Sequence, residues 1–158
     1  MRALIAAVLL VCAAPALAQT SVDLGGLTAD PSAPVEITAD SLSVDREAGS
    51  ALFSGNVVIG QGEMRIAAGE VRVTYNETSG DIRRLSASGG VTFVTGVEEA
   101  EAQTAEYDLD AGTLSLAGDV LLTQGPSALS ADRMSVNLST GAAQMEGRVR
   151  TVFARDGE

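Results

Sequence analysis

The chain of 158 residues has no histidine, no lysine and no tryptophan, and its single cysteine is Cys12. Without histidine it lacks the commonest general base and the commonest transition-metal ligand. Serine is plentiful, but with neither His nor Lys and no nucleophile-elbow motif, no base is at hand to activate one. Two Tyr and three Phe are too few to line a sugar cleft, so paired carboxylates such as Asp108 and Asp110 do not make a glycosidase. Calcium loops of the DxDxDG kind are missing as well; Asp108-Leu-Asp110-Ala-Gly112 is only a fragment of one. The expectation is a protein that is not an enzyme and carries no cofactor and no metal.

Positive charge is scarce too. Ten basic residues, all Arg, face 21 acidic ones, for a formal charge of −11. With no basic cluster to offset that field, nucleic acid is excluded as a partner. Long apolar runs are limited to Ala3–Ala14, too short to span a bilayer. Met1 and Arg2 precede it and Pro15-Ala16-Leu17-Ala18 follows, which reads as a secretory signal over residues 1–18, cut after Ala18. Cys12 leaves with it, so the mature chain has no disulfide and depends on packing and sheet hydrogen bonds. Residues 19–34, QTSVDLGGLTADPSAP, have the composition of a flexible leader. The folded domain is expected over 35–153, with a tail at 154–158.

What the chain does have is a repeat. In VDREAGSALFSGNV the skeleton is Asp45, Gly49, Gly55 and Val57, and Asp108, Gly112, Gly118 and Val120 keep every interval. Asn137, Gly141, Gly147 and Val149 do so again, while Asn76, Gly80, Gly89 and Val91 form a longer copy. The first glycines fall at 49, 80, 112 and 141, a period of about thirty residues. Between these marks apolar residues alternate with polar ones in runs of three to six, the period of strands and not of helices. DREAG, NETSG, DLDAG and NLSTG read as hairpin turns in which Asp or Asn accepts from nearby backbone N–H groups and Gly supplies positive φ. The second glycine marks a tight bend. An all-β fold of about four stacked repeats follows, since one such unit cannot bury its apolar face alone. The acidic VEEAEAQTAE, Val97–Glu106, is expected to be a solvated edge strand carrying charge against sheet association, with a cation or partner site as the other reading.

The apolar positions of the repeats are the candidate site: Ile37, Leu42, Val44, Leu52, Val57, Ile66, Val71, Val73, Val91, Phe93, Leu109, Leu114, Leu116, Val120, Met134 and Val136. Two interiors suit them, a dry packed core or an apolar groove that takes acyl chains. Periodicity does not separate the two.

ITADSLSVDREAGSALFSGNVVI, TAEYDLDAGTLSLAGDVLLTQG and LSADRMSVNLSTGAAQMEGRV resemble the OstA-like repeat of the LptA family of periplasmic lipopolysaccharide-transport proteins. The resemblance covers Val35 to Phe153. It implies a twisted, slightly open β-jellyroll of about sixteen antiparallel strands in the periplasm, whose groove shields the acyl chains of lipid A. It also implies head-to-tail homo-oligomers between an LptC-like inner-membrane component and an LptD-like outer-membrane translocon, and so a role in outer-membrane assembly. The family's Tyr before the repeat Asp is replaced by Val44 and Val136 and kept in Tyr75 and Tyr107. The expected role is a bridge that carries lipopolysaccharide from inner to outer membrane. The alternative is a structural β-repeat scaffold or an LptC-like component with a filled core.

Overall fold

The computed structural model describes residues 28–153 apart from Val97, together with the backbone of Val22–Asp23. The expected signal and tail lie outside the described residues. Thirteen strands, all paired antiparallel, form among them: β1 (Val22–Asp23), β2 (Glu36–Thr38), β3 (Ser41–Asp45), β4 (Ser50–Gln61), β5 (Met64–Tyr75), β6 (Ile82–Ser88) and β7 (Val91–Thr95). The remainder are β8 (Glu98–Ala102), β9 (Thr104–Asp108), β10 (Thr113–Gln124), β11 (Ser127–Asn137), β12 (Ala142–Glu146) and β13 (Arg150–Val152).

Four of these strands are long, and each serves two sheets. One half of β4, β5, β10 and β11 pairs with β3, β6, β9 and β12, and the other half with β2, β7, β8 and β13. The result is a V of two sheets that share a corner: β3-β4-β5-β6-β9-β10-β11-β12-β1 on one arm and β2-β4-β5-β7-β8-β10-β11-β13 on the other. The strand count falls below the expected sixteen because these four run through the corner unbroken. Hairpin turns stand at the free ends of both arms, so the mouth of the V lies between two rows of turns.

On the first arm the turns are those read from the repeat. Asp45 Oδ1 accepts from the N–H groups of Glu47 and Ala48, Asn76 Oδ1 from Thr78 and Ser79, Asp108 Oδ1 from Ala111, and Asn137 Oδ1 from Ser139 and Thr140. The corner is built by the second glycine and the residue after it, both left-handed: Gly118 (φ 84°) and Asp119 (47°), Gly147 (78°) and Arg148 (46°). The register of β10 against β11 shifts between Ala117 and Val120, the mark of a β-bulge that re-aims the strand. A residue on the neighbouring strand closes each corner. Gln103 donates its backbone N–H to the Gly118 carbonyl at 3.0 Å and its Nε2 to Asp119 Oδ2 at 2.9 Å. Asp132 donates its N–H to the Gly147 carbonyl at 2.8 Å and accepts from the Arg148 guanidinium at 2.6 Å, which holds the Asp132 carboxyl below the usual carboxylate range. Asp40 does the same with Gly55 and Asn56. A left-handed non-glycine residue costs about 1–2 kcal/mol, and these side-chain clasps offset that strain.

One expectation is corrected here. The acidic stretch is no edge: β8 lies between β7 and β10, and β9 between β6 and β10. Its inward positions are Glu98, Ala100, Ala102 and Ala105, all buried, while Glu99, Glu101 and Glu106 face solvent. Alternating Ala and Glu is weak as a hydrophobic signal, although its period is that of a strand. The described part of the leader, Thr28–Pro34, is tied to the domain, with Ala29 N–H donating to the Leu138 carbonyl at 3.1 Å.

The corner geometry predicts a graded response to alanine. At Gly118 an added Cβ would sit 2.6 Å from Gln103 Oε1 and 2.8 Å from its Cβ, whereas at Gly49 it would meet nothing within 4 Å. Gly118→Ala is expected to lower stability by about 2–3 kcal/mol, through strain and loss of the clasp. Gly49→Ala, which meets only the φ penalty, should lose about 1 kcal/mol. Urea melts of the two variants check the order.

Candidate functional site

Strand register turns the scattered apolar positions into continuous tracks across the inner face. One track runs Leu42, Phe53, Val71, Ala87, Ala105, Leu116, Met134, Met145, each directly opposite the next. A second, nearer the mouth, runs Val44, Ala51, Val73, Leu85, Tyr107, Leu114, Val136, Ala143. On the other arm Ile37, Ile59, Ile66, Phe93, Ala100, Leu122 and Leu129 form a third. Val57, Val91 and Val120 lie nearer the corner and are buried. Nine strands at a spacing of about 4.8 Å make the first arm roughly 38 Å from edge to edge.

Of the sixteen candidates, Val57, Ile66, Val71, Val73, Val91, Phe93, Leu114, Leu116, Val120, Met134 and Val136 are buried between the arms. Ile37 and Leu109 are half-buried and pack against the same cluster. Leu42 and Val44 share the inner face but are 56 % and 61 % exposed, because β3 is the last strand of its arm and nothing covers it. Leu52 is displaced: it lies opposite Ser43 and Arg72, between the inward Ala51 and Phe53, and therefore faces outward. Alternation along β4 alone would have shown this. Ile59 and Leu122, two residues after Val57 and Val120, complete the interior and were within reach of the same repeat pattern. The inward alanines were not, since Ala occurs on either face. The interior is closed, with its largest side chains inaccessible to water. A hollow of about 510 Å³ along the first arm is lined by Glu70, Arg72, Ser86, Thr104 and Glu106 together with Ala87, Ala105 and Ala117.

At the mouth of the second arm the inner face turns polar. Gln61, Thr95, Glu98 and Gln124 stand there at the strand ends, the first three buried. Tyr107, on the opposite arm, donates its hydroxyl to Gln61 Oε1 at 3.0 Å, a buried hydrogen bond between the two sheets. Gln124 Nε2 donates to Glu98 Oε1 at 2.7 Å, but Glu98 Oε2 has no partner among the described residues. Burial raises the Glu98 carboxyl above its ordinary value, the Gln124 hydrogen bond opposing in part. Among the described residues no group of three or more His, Cys, Asp or Glu is placed to hold a metal ion.

A twisted V of two antiparallel sheets around apolar tracks, open at both edges, defines a β-jellyroll. Residues 36–142 match the family model described as LptA/(LptD N-terminal domain) LPS transport protein. The chain belongs to this family, one of transport proteins and not of enzymes. It is similar to an uncharacterized protein of Rhizobium meliloti (strain 1021), 33 % identical over 150 residues, covering 87 % of this chain and 81 % of the relative. Its fold is similar to that of LptH, described as the LptA-homologous periplasmic component of the conserved lipopolysaccharide transport device of Pseudomonas aeruginosa. That match has a TM-score of 0.72 at 15 % identity and covers 80 % of this chain and 99 % of LptH.

The buried Glu98, paired through one oxygen only, gives a pH prediction. With its carboxyl pKa raised in the folded state, folding takes up a proton between the ordinary value of 4.5 and the raised one. Stability therefore falls as pH rises through that window and stays lower above it. Glu98→Gln keeps the Gln124 contact without the buried charge, and it should raise the melting temperature at pH 7 while leaving it little changed below pH 4. Thermal melts across that range check the expectation.

Proposed function

We propose that the chain is a periplasmic lipopolysaccharide carrier whose apolar interior takes the acyl chains of lipid A, and that copies join edge to edge into a bridge from the inner to the outer membrane. The observation that carries this reading is the run of the inner tracks to both open edges. Leu42 and Val44 end them on β3, and at the other edge stand Val149, at the repeat position of Val57 and Val120, and Phe153, two residues after the Thr151 that pairs with inward Leu129 and 77 % exposed. The β2–β3 edge placed against the β1–β13 edge of a second copy would continue both sheets by strand addition and cover these residues.

Keeping acyl chains from water is the energetic task of such a carrier. Each exposed methylene costs about 0.8 kcal/mol, so a single chain of about twelve carbons would cost roughly 9 kcal/mol in the open periplasm. A continuous apolar track removes that barrier while the sugars and phosphates stay wet. The edges would meet an LptC-like component at the inner membrane and an LptD-like translocon at the outer. A second reading, a scaffold with a permanently filled core, is favoured by the closed interior. Lipid entry requires the two arms to part at the mouth.

A photo-crosslinking residue at Val73 or Leu116 is expected to capture lipopolysaccharide in cells, and one at the outward Ser86 is not. If neither inward position captures it while the protein still supports growth, the scaffold reading holds. Leu42→Asp with Val44→Asp should shift self-association at least tenfold toward monomer, measured by sedimentation, with an unchanged β-sheet circular dichroism spectrum.

A further inference from the structure

We infer that residues 28–34 are a strap that holds the mouth of the interior shut and is displaced when an acylated ligand enters; this rests on the carrier reading above. The segment touches the turns of both arms. On the first, Ala29 N–H donates to the Leu138 carbonyl at 3.1 Å, and a Cβ added at Gly141 would fall 3.4 Å from Thr28 Cγ2. On the second, the Thr28 carbonyl accepts from Thr95 Oγ1 and the Ala33 carbonyl from Gln61 Nε2, each at 3.1 Å. Seven residues reach at most about 24 Å, the width of about five strand spacings, so the segment runs along the mouth from the β11 side to β4.

The strap is made to move as a piece. Asp30 Oδ1 accepts from the Ser32 N–H and hydroxyl, and the Asp30 carbonyl from the Ala33 N–H, so the Asp30-Pro31-Ser32-Ala33 turn holds its own shape. Its ties to the arms are three hydrogen bonds through its own main chain and the packing of Ala29 on the core, where neighbouring strands share continuous ladders. Beneath it lie the polar mouth positions. When the strap leaves, Gln61 and Thr95 lose their acceptors, and Glu98 already has an oxygen with no partner among the described residues. A hydrocarbon chain alone would leave these groups unpaired. An acyl chain that ends in an ester, amide or hydroxyl at mouth depth would satisfy them while its tail lies on the tracks. The strap and the polar linkage of the ligand thus compete for the same side chains.

A reversible lock tests this. A Cβ built on Gly62 falls 3.8 Å from Ala33 Cβ, within the range of a disulfide. Ala33→Cys with Gly62→Cys, in a chain with Cys12→Ser, should bind fluorescent lipopolysaccharide when reduced and at least tenfold less when oxidised, dithiothreitol restoring the binding. Thr95→Val, which removes one tie, should speed uptake severalfold. Equal binding by oxidised and reduced forms overturns the strap and leaves the carrier reading standing. Absence of binding by the wild type and by both forms overturns the carrier reading, and the strap falls with it.

Discussion

The structure depends on one close approach, repeated along the corner of the V: a glycine carbonyl taken by the backbone N–H of a residue on the neighbouring strand, with no room for a Cβ between them. At Gly147 that Cβ would stand 2.5 Å from Asp132 Oδ2, and at Gly55 the same distance from Asp40 Oδ2. At Gly55–Asn56 and Gly118–Asp119 the two left-handed residues turn β4 and β10 out of one sheet and into the other, and at Gly147–Arg148 they lead from β12 to β13. β5 and β11 pass the corner beside them with no left-handed residue, and because all four long strands serve both sheets the inner faces of the arms meet. A flat sheet of the same strands would have one face packed against nothing.

From that corner follow the properties a carrier would use. The arms are joined covalently at the apex and only by side chains at the mouth, so separation there leaves the ladders intact. The interior is aliphatic and alanine-rich, with Phe93 its one fully buried Phe, and such side chains repack with less loss than an interlocked aromatic core. The polar groups gather at the mouth instead of the centre. The Tyr107–Gln61 hydrogen bond is the inter-sheet tie among them, and its partners come from opposite arms. The edges expose inner-face residues because an open V, unlike a closed barrel, has a first and a last strand.

Much of this was visible in the sequence, for a local reason. Asp45, Asn76, Asp108 and Asn137 bond to N–H groups two or three residues on, so turn chemistry shows in the spacing of a few residues. Period-two alternation is also local, and it placed fifteen of the sixteen candidates on the inner face or against its core. Leu52 failed because it was read from its repeat and not from the alternation of its own strand. The acidic stretch failed because Ala100, Ala102 and Ala105 carry no hydrophobic signal strong enough to mark a buried face.

The chain by itself thus determined that there would be short strands, where they would turn and which side of most of them would be apolar, since each follows from φ preference and side-chain alternation within a few residues. Only the tertiary structure decided which glycine meets which partner, that β8 and β9 are central, that Gln61, Thr95 and Glu98 share one mouth, and that Thr28–Pro34 lies across it. Those facts rest on contacts between distant segments: Gln61 meets Tyr107 across 46 residues and Thr95 meets Thr28 across 67. No local pattern encodes such pairings; they follow from the register the folded sheets impose.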